Sequence, residues 1–201
     1  MIVHLNGWPG AGKLTVGRVL ARRLGGHLLD NHTLHNVAAS LCGRDTDEYW
    51  QVYYQVREIA YARMRVMPVS EIFVMTNALT RESAREVEAW GAVKRLAPDR
   101  VDTLVAVTLL CSLEENVRRL PNQDRIDNRK LADPRPLIAW RSGLNLITDD
   151  AVHWSVMDNT DLSPKRSQPL CVNCANDRGL PCIPAGARRR SGPPLLRPPA
   201  V

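Results

Sequence analysis

Nine residues near the start of the chain, "GWPGAGKLT" (Gly7–Thr15), leave little freedom to any fold that contains them. A short β-branched run, "MIVHLN", precedes them. After them Leu14, Val16, Val19, Leu20 and Leu24 recur at helical spacing until Gly25 and Gly26. A strand that runs through three glycines and a lysine into a helix fits the pattern G-x-x-x-x-G-K. Glycines leave space and permit unusual backbone angles, so successive N–H groups can curl around an anion. The helix points its N-terminus at the same anion, and Lys13 brings a mobile charge to the outer phosphates. A plain tight turn would explain the glycines but not the order of strand, loop, lysine and helix.

The rest of the chain repeats the alternation. "HLLD" and "EIFVMT" read as short strands, with a helical pattern from Thr33 to Met67 between them that breaks near Gly43. "RESAREVEAWGAVKRL" reads as a helix with its charges on one face, and "DTLVAVTLLC" as a buried strand. Ser112 is placed to cap "LEENVRRL", with Glu115 in the reciprocal capping position. "PNQDRIDNRKLADP" is polar and loop-like, "PLIAWRSGLNLI" returns to helix, and "HWSVMD" is the last strand. Strands alternating with helices predict an α/β fold: a five-stranded parallel sheet with crossover helices.

Composition narrows the function classes. No apolar run approaches the ~18 residues that span a bilayer, and the start has no signal-peptide character, so a cytoplasmic location is expected. The net charge of +6 suggests a nucleic-acid partner until it is located. Residues 1–164 hold twenty Lys/Arg and twenty Asp/Glu; the excess lies beyond. A basic groove in the folded part, and with it a nucleic-acid partner, is not expected. From Pro164 onward the chain holds eight of its fourteen prolines, and no aromatic follows Trp154. Residues 163–201 therefore read as a disordered Pro/Arg-rich tail. Its Cys171, Cys174 and Cys182 lack a fourth ligand for a complete zinc site. Cys42 and Cys111 fall inside regular patterns and read as reduced, packed thiols.

The loop G-x-P-G-x-G-K-x-T resembles that of adenylate kinases, which read G-x-P-G-x-G-K-G-T. The resemblance extends, as an order of elements over residues 1–162, to the group of P-loop kinases that includes shikimate kinases, gluconate kinases and chloramphenicol phosphotransferase. It implies a P-loop three-layer sandwich of the adenylate-kinase type, with acceptor-binding helices over about residues 32–67 and a short lid over about 119–134. It also implies that Gly7, Pro9, Gly10, Ala11, Gly12, Lys13, Leu14 and Thr15 bind ATP. Leu14 stands where many such loops place a hydroxyl for Mg²⁺. By the adenylate-kinase likeness Thr15 contacts the inner phosphate, Leu14 serves packing, and Mg²⁺ is held through phosphate and water.

"HLLDNHTLHN" resembles the D-x-D segment after the second strand of shikimate and gluconate kinases. Asp30 matches the first aspartate, and His32 replaces the second. Asp30 is then a base for the acceptor hydroxyl or a holder of Mg²⁺ through water, against a plain helix-capping role. His32 and His35 are candidates for substrate contact, against a packing role. "FVMTNALTRES" resembles gluconate kinases after the third strand, making Asn77 and Arg81, with Thr76, candidates for acceptor recognition. In "ENVRRLPNQDRIDNRK" the resemblance implies lid arginines: Arg119 and Arg125 for transition-state charge, Arg118 or Arg119 against adenine. By position alone Asp158 and Asn159 fall in the loop that touches adenine.

These readings combine into an expected monomeric, ATP- and Mg²⁺-dependent phosphotransferase acting on a small-molecule hydroxyl: a sugar acid, a nucleoside or an antibiotic. A nucleoside monophosphate kinase is the alternative that Arg44, Arg57, Arg63 and Arg65 leave open. A nucleotide-binding regulator or an RNA-associated protein with a basic tail is the alternative of another class.

Overall fold

The computed structural model describes residues 1–127, 129–150 and 152–161; the tail and its three cysteines lie outside the described residues. The elements run β1 (Ile2–Gly7), α1 (Lys13–Leu24), β2 (His27–Asp30), α2 (Asn31–Leu41), α3 (Asp47–Val66), β3 (Phe73–Thr76) and α4 (Ala84–Asp99). They continue through β4 (Leu104–Leu110), α5 (Leu113–Arg119), α6 (Gln123–Asp127), α7 (Pro134–Gly143) and β5 (His153–Asp158). The five strands form one sheet in the order β2-β3-β1-β4-β5, and every pairing is parallel. The alternation in the sequence therefore yields the sheet it predicts.

Helices cover both faces, because parallel strands buried on both sides need cover on both. On one face Val3 and Leu5 of β1 pack with Val16, Leu20 and Ala21 of α1. On the other, Ile2 packs with Trp90, Val93 and Leu96 of α4 and with Tyr61 and Met64 of α3. The sheet is thus the middle of three layers. Among the described residues no helix is long and apolar enough to cross a membrane.

Three local readings differ from the structure. The segment after Pro121 contains a short helix, α6, built on the Asn122 carbonyl, which accepts from the Arg125 and Ile126 amides. Helix α7 ends at Gly143, and the residues after it are extended, with Leu146 bridged to Thr80. Ser112 caps α5 by accepting from the Glu115 amide, but its own N–H donates to Thr160 Oγ1. Glu115 turns to Arg118 and Arg119 instead, so only half of the expected capping box forms.

The strand β1 also buries two polar side chains that its apolar character hides. Asn6 is fully buried and pairs with Leu79 as a strand would: its Oδ1 accepts from the Leu79 N–H at 2.8 Å and its Nδ2 donates to the Leu79 carbonyl at 3.1 Å. This ties the segment after β3 to the centre of the sheet. His4, also fully buried, donates from Nε2 to Asn77 Oδ1 at 3.0 Å and lies 5.2 Å from the Trp90 ring. Burial, with repulsion from Lys13 added and the Asn77 bond opposing, pulls its imidazole down from 6.5 to about 4.

That shift fixes an acid dependence. The unfolded chain takes up the His4 proton near pH 6.5, whereas the folded chain resists until about pH 4. The stability contributed by neutral His4 is complete above pH 6.5 and is lost as pH falls toward 4. The loss amounts to about 3 kcal/mol. Urea unfolding measured at steps from pH 7.5 to 4.5 should show the midpoint falling. His4→Gln, which can still donate to Asn77, should flatten that fall by about one proton's worth.

Candidate active site

The loop between β1 and α1 opens at the C-terminal edge of the sheet, where ligands of open parallel sheets bind. Gly10 and Gly12 stand at φ +88° and +87°, in the region that favours glycine. A Cβ on Gly10 would also strike Asn116 Nδ2 at 2.5 Å, whereas around Gly12 the nearest atom is 3.6 Å away. Gly12 is the N-cap of α1 and offers no side chain, so the helix begins without a side-chain cap. Its first amides are left for an anion.

The loop is braced from behind. Asn116 of α5, fully buried, donates to the Pro9 carbonyl at 2.6 Å. Arg141 of α7 donates to Asn116 Oδ1 and to the Cys111 carbonyl. Asn159, 3 % exposed, donates to the Ala11 carbonyl at 2.8 Å. Trp8 is buried against Leu120 and Leu137. Of these, Asn116, Arg141 and Trp8 carry no local signal in the sequence, because each acts through a contact distant along the chain.

A cleft of about 1100 Å³ spreads in front of the loop. That is large for a single small-molecule pocket. Pro9, Gly10, Gly12, Lys13, Leu14 and Thr15 form one wall, while Gly7 and Ala11 lie behind it and are buried. Leu14 is half-buried on the cleft wall and lies outside the core clusters, so the expected packing role is not where the structure puts it. Lys13 folds back and donates from Nζ to the carbonyls of Gly7 (2.6 Å) and Trp8 (2.9 Å). Desolvation, then repulsion from Arg125, pulls its ammonium from 10.5 to about 7; Lys130 adds to the repulsion and Asp30 opposes it.

Asp30 ends β2 and occupies the N-cap position of α2, yet its side chain makes no capping bond. It accepts instead from Thr76 Oγ1 at the end of β3, at 2.5 Å, and pairs with Lys130 Nζ at 3.4 Å. Its carboxylate borders the same cleft as Lys13. The capping alternative therefore fails on geometry, and Lys130, from the segment "ENVRRLPNQDRIDNRK", belongs to this centre.

The end of the cleft beside α2 and α3 is aromatic. His32, His35, Arg44, Tyr49 and Trp50 line it. His35 Nδ1 bonds the Tyr49 hydroxyl, and its ring stacks 4.2 Å from Tyr53. Burial first, with the charges of His32 and Arg44 added, lowers its imidazole to about 4, so it presents a neutral ring. Asn77 is only 5 % exposed at the cleft edge, with its Oδ1 turned to His4. Arg81 does not line the cleft; it bonds Thr148 Oγ1 on the far side of the segment after α7.

The arginines expected in a lid make different contacts. Arg118 is exposed and forks onto Glu115, and with Arg119 it holds that carboxyl down at about 2. Arg119 bonds Glu115 through Nε, Asn159 Oδ1 through Nη1, and the Asn159 and Thr160 carbonyls through Nη2. With all three nitrogens engaged, it straps the loop after β5 to α5, and like Arg118 it borders the cleft. Arg125 lines the cleft, anchored by Nε and Nη2 on the Leu131 carbonyl, with its charge felt at Lys13.

No protein-family model and no curated protein sequence matches the chain. Solved structures do. A gluconokinase from Sinorhizobium meliloti is similar over 87 % of this chain and 91 % of its own, with a TM-score of 0.57 and 14 % identity. The tunicamycin resistance protein of Deinococcus radiodurans is similar over 91 % of this chain and 98 % of its own, with a TM-score of 0.57 and 17 % identity. The APS kinase CysC of Mycobacterium tuberculosis, solved with AMPPNP and APS, is similar over 87 % and 96 %, with a TM-score of 0.53 and 15 % identity. At these identities the likeness is one of architecture, and the chain has the fold of the small P-loop kinases.

Proposed function

We propose that the chain transfers the γ-phosphoryl group of ATP to a hydroxyl of a small molecule. One observation carries this reading: a phosphate-type loop with Lys13 and an uncapped helix shares its cleft with a non-capping carboxylate, Asp30. Arg125 and Lys130 line the same cleft and add positive charge of the kind that steadies a transferring phosphoryl group. The shared fold supports the same reading, since solved relatives are described as a gluconokinase and an APS kinase.

In this reading the acceptor hydroxyl gives its proton to Asp30 as its oxygen bonds to the γ-phosphorus. The bond to the β–γ bridging oxygen breaks, and ADP leaves. Lys13, Arg125 and the α1 amides hold the phosphates. Among the described residues no group of three or more His, Cys, Asp or Glu could hold a metal by itself. One carboxylate on the cleft wall, Asp30, fits Mg²⁺, which is bound largely through substrate phosphates and water. Bound there, Mg²⁺ would neutralise phosphate charge. The need for ATP and the unpaired Cys42 and Cys111 support a cytoplasmic setting. The reading needs neither a second copy nor nucleic acid.

A nucleoside monophosphate acceptor needs arginines at the acceptor end. Arg57 is engaged bidentately with Glu88, and Arg65 with Glu58 and Asp99. Of the four candidates, Arg44 alone borders the cleft. This favours a hydroxyl acceptor.

A phosphotransfer screen with γ-labelled ATP over sugars, sugar acids, nucleosides and hydroxylated antibiotics tests the proposal. Transfer to none of them, or transfer that survives Lys13→Ala within tenfold, would overturn it. With an acceptor in hand, Asp30→Asn should lower kcat by about 10²–10⁴-fold while the fold, by circular dichroism, is kept. Unchanged kcat would move the search for the base to His32.

Lys13 also sets a proton count. At pH 8 its ammonium, with a pKa of about 7, is largely neutral, and phosphates beside it raise that value. Binding of a non-hydrolysable ATP analogue at pH 8 should therefore take up close to one proton. Calorimetry in buffers of different ionisation enthalpy measures this, and Lys13→Arg should abolish it.

A further inference from the structure

We propose that Lys130 is a positioning residue that exchanges partners: it holds the Asp30 carboxylate in the nucleotide-free cleft and moves to the γ-phosphate when nucleotide binds. The inference rests on the phosphotransfer reading above and adds a coupling between its two halves.

Backbone hydrogen bonds hold the approach to Lys130 against α6. After α6 the chain turns through Arg129 at φ +53°, a left-handed conformation that is uncommon for a residue with a side chain. The Arg129 N–H bonds the Ile126 carbonyl at 2.9 Å and the Lys130 N–H bonds the Arg125 carbonyl at 2.8 Å, a pair of bonds that closes a helix C-terminus. Lys130 thus follows two hydrogen bonds back to α6, its side chain 12 % exposed.

Its ammonium lies between two demands. Asp30 Oδ2 is 3.4 Å away, longer than the 2.7–2.9 Å of a tight charge-assisted bond. It also lines the cleft together with Lys13 and the glycine loop, and its charge adds to those that lower the Lys13 pKa. Arg125 is anchored twice on the Leu131 carbonyl and keeps its place. A point charge on a flexible stem can follow the stronger anion, and a polyphosphate outbids one carboxylate. Once Lys130 leaves, Asp30 keeps its Thr76 bond and becomes available to the acceptor hydroxyl. The base is thereby exposed only when there is a phosphoryl group to transfer.

The test needs no acceptor. AMPPNP binding to the full chain is measured by calorimetry in EDTA, so that no metal contributes, for wild type, Asp30→Asn, Lys130→Met and the double variant. Asp30→Asn should tighten binding about fivefold by releasing Lys130, and Lys130→Met should weaken it about fivefold. In the Lys130→Met background, Asp30→Asn should change affinity less than twofold, whereas Lys130→Arg should keep most of the gain. Lys130→Gln replaces Lys130→Met if the latter melts early. An equal gain from Asp30→Asn with and without Lys130, or unchanged binding in Lys130→Met, would overturn the exchange. Wild type that fails to bind AMPPNP, or binds it no better than Lys13→Ala does, would overturn the functional reading and the exchange with it.

Discussion

The hydrogen bond from the buried Asn116 amide to the Pro9 carbonyl is the contact on which the rest of the centre depends. A glycine-rich loop has many conformations, and ordering it costs entropy at every residue. Here the cost is offset from outside the loop. Asn116 fixes its tip, Arg141 fixes Asn116, Asn159 fixes the Ala11 carbonyl, and Arg119 fixes Asn159. Each bond contributes about 1 kcal/mol net. Together they convert a flexible segment into a preformed anion cradle, which spares the ligand the work of shaping it.

The cradle is electrostatically unbalanced without an anion. Lys13, Arg125 and Lys130 line one cleft, and at Lys13 the charges of Asp30 and then Cys111 oppose those of Arg125 and Lys130. Their mutual repulsion, added to burial, is what weakens the Lys13 proton. A bound polyphosphate relieves that tension, so binding and charge neutralisation are one event. For the phosphoryl transfer proposed above, preorganised charge of this kind lowers the rearrangement needed at the moment of reaction.

The sheet, its five strands and the phosphate loop were legible because their signals are local: strand-length apolar runs, glycines at fixed offsets, a lysine before a helix. Asp30 was legible because it ends a strand beside that loop. Other features depend on contacts far apart in the chain. Asn116 to Pro9, Asn6 to Leu79 and Arg119 to Asn159 each join separate elements. Arg119 illustrates the limit: its position in the basic segment gives no hint of the strap it forms between α5 and the loop after β5. Arg81 shows the same in reverse, a polar residue after a strand whose partner, Thr148, lies on an unrelated segment. Lys130 was visible as a charge, but its pairing with Asp30 rests on the turn at Arg129, which no glycine announces.

The central place of β1 has a consequence for synthesis. Ile2 pairs with Phe73 on one side and Leu104 on the other, so the first strand made has no partner until β3 and β4 emerge. Parallel pairing over such separations is slow, because a long loop must close before any contact is gained. The loop after β1 waits longer still, since its braces arrive with Asn116, Arg141 and Asn159. A growing chain on the ribosome therefore carries its nucleotide motif in finished sequence but unfinished shape until nearly all of residues 1–161 has left the exit tunnel.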